Sequence, residues 1–213
     1  MINATDQEKL LLSIARSLKR KVKAFAVGGT AMMFHGLKDT TKDIDLVFTG
    51  ERDRDEFRKA AMEMGYSGYD PVKVYGAKRN RPVMLTRGDE ERFDLFMTEV
   101  IDFVFSEAMI RRATDVHEFG KSFELHIADP HDIILMKCAT DRLKDKDDAR
   151  QIIGSRKIDW GIIIEEAQSQ VRLGKKRALW DLEEFVSELI KMRTPIPREA
   201  LKRIRELIEE SWK

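Results

Sequence analysis

The chain has 213 residues, 36% of them charged and 42% hydrophobic, which suits one domain with an appendage or two small ones and excludes a large multidomain assembly. With 39 Lys and Arg against 38 Asp and Glu the formal charge is +1, so neither a polycationic nucleic-acid coat nor an acidic tail describes it, and any basic surface is local. Cys138 is the single cysteine, which rules out an internal disulfide and a cysteine-built zinc site, and Asp6, Glu8, Lys9 and Arg16 interrupt any apolar leader. No stretch approaches a membrane span, and a cytoplasmic protein that does not engage a membrane is expected.

Taken in chain order, Leu10, Leu11, Ile14, Ala15 and Leu18 recur at helical spacing and predict an amphipathic helix over 5–21, with acids early and bases late to suit the helix dipole. The apolar run 23–27 reads as a strand stopped by Gly28-Gly29, and 30–35 as a short helix ending at Gly36. Residues 43–48 read as a strand closing at Thr49-Gly50, and 52–64 as a helix ending at Gly65, so the first third is βαβα. In the middle, 72–75, 81–86, 92–97 and 122–128 read as short strands of a mixed sheet. After Asp129-Pro130, an N-cap followed by a proline suited to a first helical turn, the pattern is helical, with amphipathic segments over 160–173, 175–192 and 198–212. The expectation is an α/β (α+β) fold: a mixed β-sheet flanked by helices over 1–129, then a C-terminal helical region over 130–213 packed on that core.

The chemistry concentrates in Val27-Gly28-Gly29-Thr30 and in Thr41-Lys42-Asp43-Ile44-Asp45-Leu46. Strand side chains alternate, so Asp43 and Asp45 share one face, and paired carboxylates repel each other until a hard divalent cation such as Mg²⁺ relieves them. Asp94, flanked by Phe93 and Leu95, is a third acid placed to join them if its strand is a neighbour. Gly28 and Gly29 have no Cβ and let backbone N–H groups approach an anion ahead of a helix. Each feature alone has a plain reading, a tight turn or a pair of solvated acids; a glycine turn, a helix and a paired-Asp strand in that order make a coherent nucleoside triphosphate cradle.

In these residues the chain resembles the DNA polymerase β-like nucleotidyltransferase superfamily, whose pattern is a Gly-Gly or Gly-Ser turn, a short helix, an Asp-x-Asp strand and a later Asp on a neighbouring strand. The stretch 128–148, with Lys137 and then Arg142, Lys144, Asp145 and Asp148, is similar to the prokaryotic branch that includes abortive-infection toxins. The resemblance covers about residues 22–150 and implies transfer of a nucleoside monophosphate from ATP or another triphosphate, with Mg²⁺ or Mn²⁺ held by Asp43, Asp45 and Asp94. It further implies nucleotide binding by Gly28, Gly29, Thr30, Thr41 and Lys137, an acceptor hydroxyl on tRNA, a protein or a small molecule, and a cognate antitoxin as partner. Gly29 departs from the serine of many relatives, so a hydroxyl contact to the phosphates is either missing or supplied by Thr30. Lys137 reads equally as a helix-surface lysine paired with Asp141, and the basic residues around it as a solvated face.

Other residues read more plainly. His35, His117, His126 and His131 have no metal-ligand spacing, with His35 expected to be packed, and Cys138 is expected to be a buried inert thiol. Arg79, Arg81 and Arg87 beside Tyr75, or Arg172, Lys175, Lys176 and Arg177, could form basic strips for RNA. The alternatives are a non-catalytic nucleotide- or partner-binding module of the same fold, and less readily a D-x-D glycosyltransferase, whose motif normally follows a longer nucleotide-binding region than about forty residues, or a haloacid dehalogenase-type phosphatase, which leaves the Gly-Gly turn unexplained.

Overall fold

The computed structural model describes residues 1–88, 91–140 and 142–210. The chain divides into two compact units, one of Met1–Ile101 with Phe105–Asp129 and one of Asp102–Val104 with the chain from Pro130 onward. No helix among the described residues is long and apolar enough to cross a membrane.

In the first unit β1 (Ile2–Asn3) leads into α1 (Ala4–Ser17), whose Asn3 side chain caps Asp6 N–H at 2.9 Å. Next come β2 (Val22–Ala26), α2 (Gly28–Phe34), β3 (Thr40–Thr41), β4 (Asp43–Val47) and α3 (Glu51–Glu63). Then follow β5 (Ser67–Tyr69), α4 (Val72–Tyr75), β6 (Val83–Thr86), β7 (Arg92–Phe96) and β8 (Glu99–Val100). After β9 (Phe103–Val104), which belongs to the second unit, the first unit closes with α5 (Glu107–Arg112), β10 (Asp115–Phe119) and β11 (Phe123–Ile127).

The seven-stranded sheet has the order β10-β11-β2-β4-β7-β6-β5 and is mixed, with β11/β2 and β4/β7 parallel and the other pairs antiparallel. On one face Ile44, Leu46, Phe93 and Leu95 are fully buried. Helix α3 covers that face because Phe57, Ala60 and Ala61 recur at helical spacing, and the Phe57 ring lies 5.5 Å from Phe93 and 5.3 Å from Phe123. The opposite face carries Asp43, Asp45 and Asp94.

One expected strand is overturned. Residues 72–75 form a single helical turn, since the Asp70 carboxylate accepts Val72 N–H at 2.9 Å and the Pro71 carbonyl accepts Tyr75 N–H at 2.9 Å. The Asp-Pro start that marks a helix at 129–130 operates here too, and outweighs a valine-rich run too short to carry a period. The edge strands β5 and β10 and helix α5 were not expected: β5 is exposed throughout and β10 mostly polar, so neither shows a half-buried alternation.

The second unit is helical apart from β9, with α6 (Pro130–Lys137), α7 (Leu143–Ser155), α8 (Trp160–Arg172), α9 (Ala178–Lys191) and α10 (Arg198–Glu210). Helix α6 packs on α7 and α8, α8 on α9, and α9 on α10. The Gln170 side chain donates to Val104 O and accepts from Val104 N, both at 2.8 Å, which satisfies the β9 backbone.

Candidate active site

The parallel register of β4 and β7 builds the site. It sets Asp43 opposite Arg92 and Asp45 opposite Asp94, and the two-residue period puts all four side chains on one face. Asp43 and Asp45 are half-buried while Asp94 is fully buried. A carboxylate taken out of water needs hydrogen-bond donors or a counter-charge, and Asp94 has both. Arg92 Nε donates to its Oδ1 at 2.6 Å and Arg92 Nη2 to its Oδ2 at 3.0 Å, and the Tyr75 hydroxyl donates to Oδ2 at 2.6 Å. Arg92 Nη2 also lies 2.8 Å from Asp43 Oδ1, so one guanidinium joins two of the three acids.

These contacts set the ionisation of both donors. Burial, followed by the charges of Asp45 and Asp94, pushes the Tyr75 phenol far above its ordinary value, so Tyr75 stays a donor. Burial works against the charged Arg92 guanidinium, but its bonds to Asp94 and the charge of Asp43 outweigh that and raise its pKa.

The glycine turn lies against this face. Gly28 has φ +55°, and a Cβ there would stand 2.9 Å from Asp45 Oδ2; a Cβ on Gly29 would stand 2.8 Å from Thr41 Oγ1. Only glycine lets the chain pass so close to Asp45, and at Gly28 only glycine takes the backbone angle without strain. Thr41 is buried and paired with Ile2 in the β1/β3 ladder, which fixes the entry to β4. Thr30, fully buried, accepts Asp45 N–H at 2.8 Å and donates to Asp43 O at 3.4 Å. Its hydroxyl is committed to the backbone of the Asp-x-Asp strand, which the sequence reading had left open to a phosphate.

Lys137 stands in the second unit and is buried, not a surface lysine. It donates to Asp145 Oδ1 at 2.7 Å and to Asp148 Oδ2 at 2.5 Å. Thr140 and Arg142 also donate to Asp145 Oδ2. Burial would raise the Asp145 pKa, but the charge and hydrogen bond of Lys137, with those of Thr140 and Arg142, bring it down to about 2. The 142–148 motif is therefore an internal ion-pair network as much as a helix face, and Asp141 lies outside the described residues.

Two of the histidines are held by backbone carbonyls. His35 Nε2 meets Ala128 O at 2.9 Å and His126 Nδ1 meets Ala113 O at 3.0 Å. Cys138 is buried and its thiol pKa is pushed up by burial. Arg87 reaches inward to Met64 O at 3.0 Å and over the Tyr66 ring, whereas Arg79 and Arg81 are exposed, so the first basic strip is divided.

Among the described residues, no group of three or more His, Cys, Asp or Glu side chains is drawn together to hold a metal ion. The donor type is that of a hard divalent cation, carboxylate oxygens of Asp43, Asp45 and Asp94 on one sheet face, but in this structure the Arg92 guanidinium meets the charge of Asp43 and Asp94.

Residues 5–190 match the family model described as a nucleotidyltransferase of unknown function, DUF6036. The chain belongs to this family. DUF6036 thus names the class of reaction, transfer of a nucleotidyl group, and makes the chain an enzyme of that class. Among solved structures, it is similar to ANT(2")-Ia in complex with adenylyl-2"-tobramycin, at 18% identity and TM-score 0.49 over 85% of this chain and 98% of that one. It is also similar to a structure from H. pylori assigned as a nucleotidyltransferase, at 16% identity and TM-score 0.44 over 98% of this chain and 95% of that one. A comparison with curated proteins gave no match.

Arg92 is missing from the expected site residues, and Tyr75, expected beside a basic strip, stands on Asp94 instead. Arg92 was within reach of the sequence reading, because the alternation that groups Asp43 with Asp45 also puts Arg92 on the face of Asp94. Tyr75 was not, since it joins Asp94 from 19 residues away.

Proposed function

We propose that this DUF6036 member is a Mg²⁺- or Mn²⁺-dependent nucleotidyltransferase that moves a nucleoside monophosphate from ATP or another triphosphate to an acceptor hydroxyl. The observation that carries the reading is the β4/β7 register, which puts Asp43, Asp45 and Asp94 on one face with the Gly28 backbone against the Asp45 carboxylate. A pure binding module has less use for three acids gathered beside a glycine turn, since carboxylates repel a triphosphate and the single charge of Arg92 offsets only part of theirs.

In the reaction the acceptor oxygen bonds to the α-phosphorus, the bridging P–O bond to the β-phosphate breaks, and pyrophosphate leaves with the bonding pair. Asp43 and Asp45 would hold the divalent ion, and Asp94 would complete the set and help the acceptor hydroxyl lose its proton. When bound, the metal supplies neutralisation of the charge that builds on the phosphoryl oxygens. Gly28 and Gly29 would present backbone N–H groups to the triphosphate with no side chain in the way. Thr30 and Thr41 would act by fixing the strand and turn that carry these groups.

The acceptor is a hydroxyl of RNA, of a protein or of a small molecule, and the 128–148 motif is the basis for a toxin-type role with a cognate antitoxin. The test is incubation of the protein with each α-³²P-labelled triphosphate, Mg²⁺ or Mn²⁺, and a total extract of RNA, protein and metabolites. Label should pass to an acceptor with wild type, and the Asp43→Asn/Asp45→Asn variant should be slower by about a thousandfold. Equal transfer by the folded double variant, or none from any triphosphate by wild type, would remove the reading.

A further inference from the structure

The acidic face already contains a cation. Arg92 bonds both oxygens of Asp94, and its Nη2 also reaches Asp43 Oδ1, which takes up three of the carboxylate oxygens that a divalent ion would need. The placement is built in by register: Arg92 is the cross-strand partner of Asp43 and stands two residues before Asp94 on the same face. The guanidinium is itself largely enclosed, with the Arg92 side chain at 20% exposure against 0% for Asp94, and the Tyr75 hydroxyl closes the other side of Oδ2. A monovalent fork therefore occupies carboxylate oxygens that a divalent ion would use, and a guanidinium and a divalent ion on the same carboxylates would repel each other.

We infer that Arg92 is the resident counter-ion of the site, a positioning residue that holds Asp94 and Asp43 in the metal-free enzyme and must swing off them for a divalent cation to bind. This rests on the metal reading above and adds a consequence to it. Metal binding to the nucleotide-free enzyme is weak because it competes with an internal ion pair. An incoming triphosphate, whose oxygens match the guanidinium fork as well as a carboxylate does, gives Arg92 a new partner and makes metal and nucleotide binding mutually supportive.

The test uses the full chain and Mn²⁺ alone, followed by its electron paramagnetic resonance signal, with no nucleotide and no turnover. Arg92→Met should bind Mn²⁺ about tenfold or more tightly than wild type, because removing one unit charge from a semi-buried site is worth at least one decade. Arg92→Lys keeps the charge but cannot span both Asp94 oxygens and Asp43, and should fall between the two. If Arg92→Met does not fold, because Asp94 is then buried without its counter-charge, Arg92→Lys decides by itself: tighter binding than wild type supports the inference, and equal or weaker binding overturns it.

Binding by wild type that Asp43→Asn/Asp45→Asn abolishes, together with unchanged or weaker binding by the Arg92 variants, overturns the role of Arg92 and leaves the metal reading standing. A free-Mn²⁺ spectrum undiminished by wild type and by every variant, that is, no binding, overturns both. Tight binding by Arg92→Met that survives Asp43→Asn/Asp45→Asn places the ion elsewhere and overturns the inference as well.

Discussion

Replacing Thr30 by valine tests whether the helix after the glycine turn really positions the Asp-x-Asp strand. Valine has nearly the shape of threonine, so at this fully buried position the change removes a hydroxyl and little else. The Asp45 N–H, which donates to Thr30 Oγ1 at 2.8 Å, would lose its acceptor inside the unit, and the longer bond to Asp43 O at 3.4 Å would go with it. An unsatisfied buried donor costs about 1–3 kcal/mol, so a loss of about 2 kcal/mol is expected, or a fall of roughly 6–10 °C in Tm for a unit of this size. Thr30→Ser keeps both hydrogen bonds and loses one methyl, about 1 kcal/mol. Thermal unfolding followed by circular dichroism gives the stabilities, and nucleotidyl transfer under the conditions above gives the rates. Thr30→Val should lose both stability and, by about a hundredfold, rate, since the carboxylates of Asp43 and Asp45 shift with their backbone. Thr30→Ser should keep its rate. A Thr30→Val protein within about 0.5 kcal/mol of wild type would refute the reasoning, because a buried hydroxyl that can be deleted so cheaply is not holding β4.

Two further outcomes follow from the second unit. Lys137→Met leaves Asp145 and Asp148 without the ammonium that donates to both, and should destabilise the unit by about 3–5 kcal/mol, read as a lower urea midpoint with unchanged slope; a midpoint equal to wild type would show that the pair contributes nothing. Asp145, brought down to about 2 in the folded state, contributes stability above its unfolded value near 4 and loses it as pH falls through about 2. The stability gap between wild type and Asp145→Asn should therefore shrink by about 2 kcal/mol between pH 5 and pH 2, and a gap independent of pH would contradict the assigned ion pair.

The glycine turn, the Asp-x-Asp strand, helices α1 and α3 and the mixed character of the sheet were legible in the sequence because each rests on a short-range rule: side-chain alternation, helical spacing or the missing Cβ of glycine. Helix α4 was read as a strand because four residues carry no usable period, and the Asp70-Pro71 start was the better signal. The edge strands escaped because exposed strands lack the buried alternation that marks a half-buried one.

The sequence by itself determined that Asp43 and Asp45 share a face and that a glycine pair stands before a helix ahead of them. Only the tertiary structure decided that β4 and β7 lie parallel in register, that Arg92 and Tyr75 close on Asp94, that Thr30 bonds to the strand backbone, and that Lys137 is buried between Asp145 and Asp148. Those are pairings between segments far apart in the chain. They follow from how the elements stack to bury their apolar faces, and from the need to neutralise every charge that burial traps, neither of which a local pattern records.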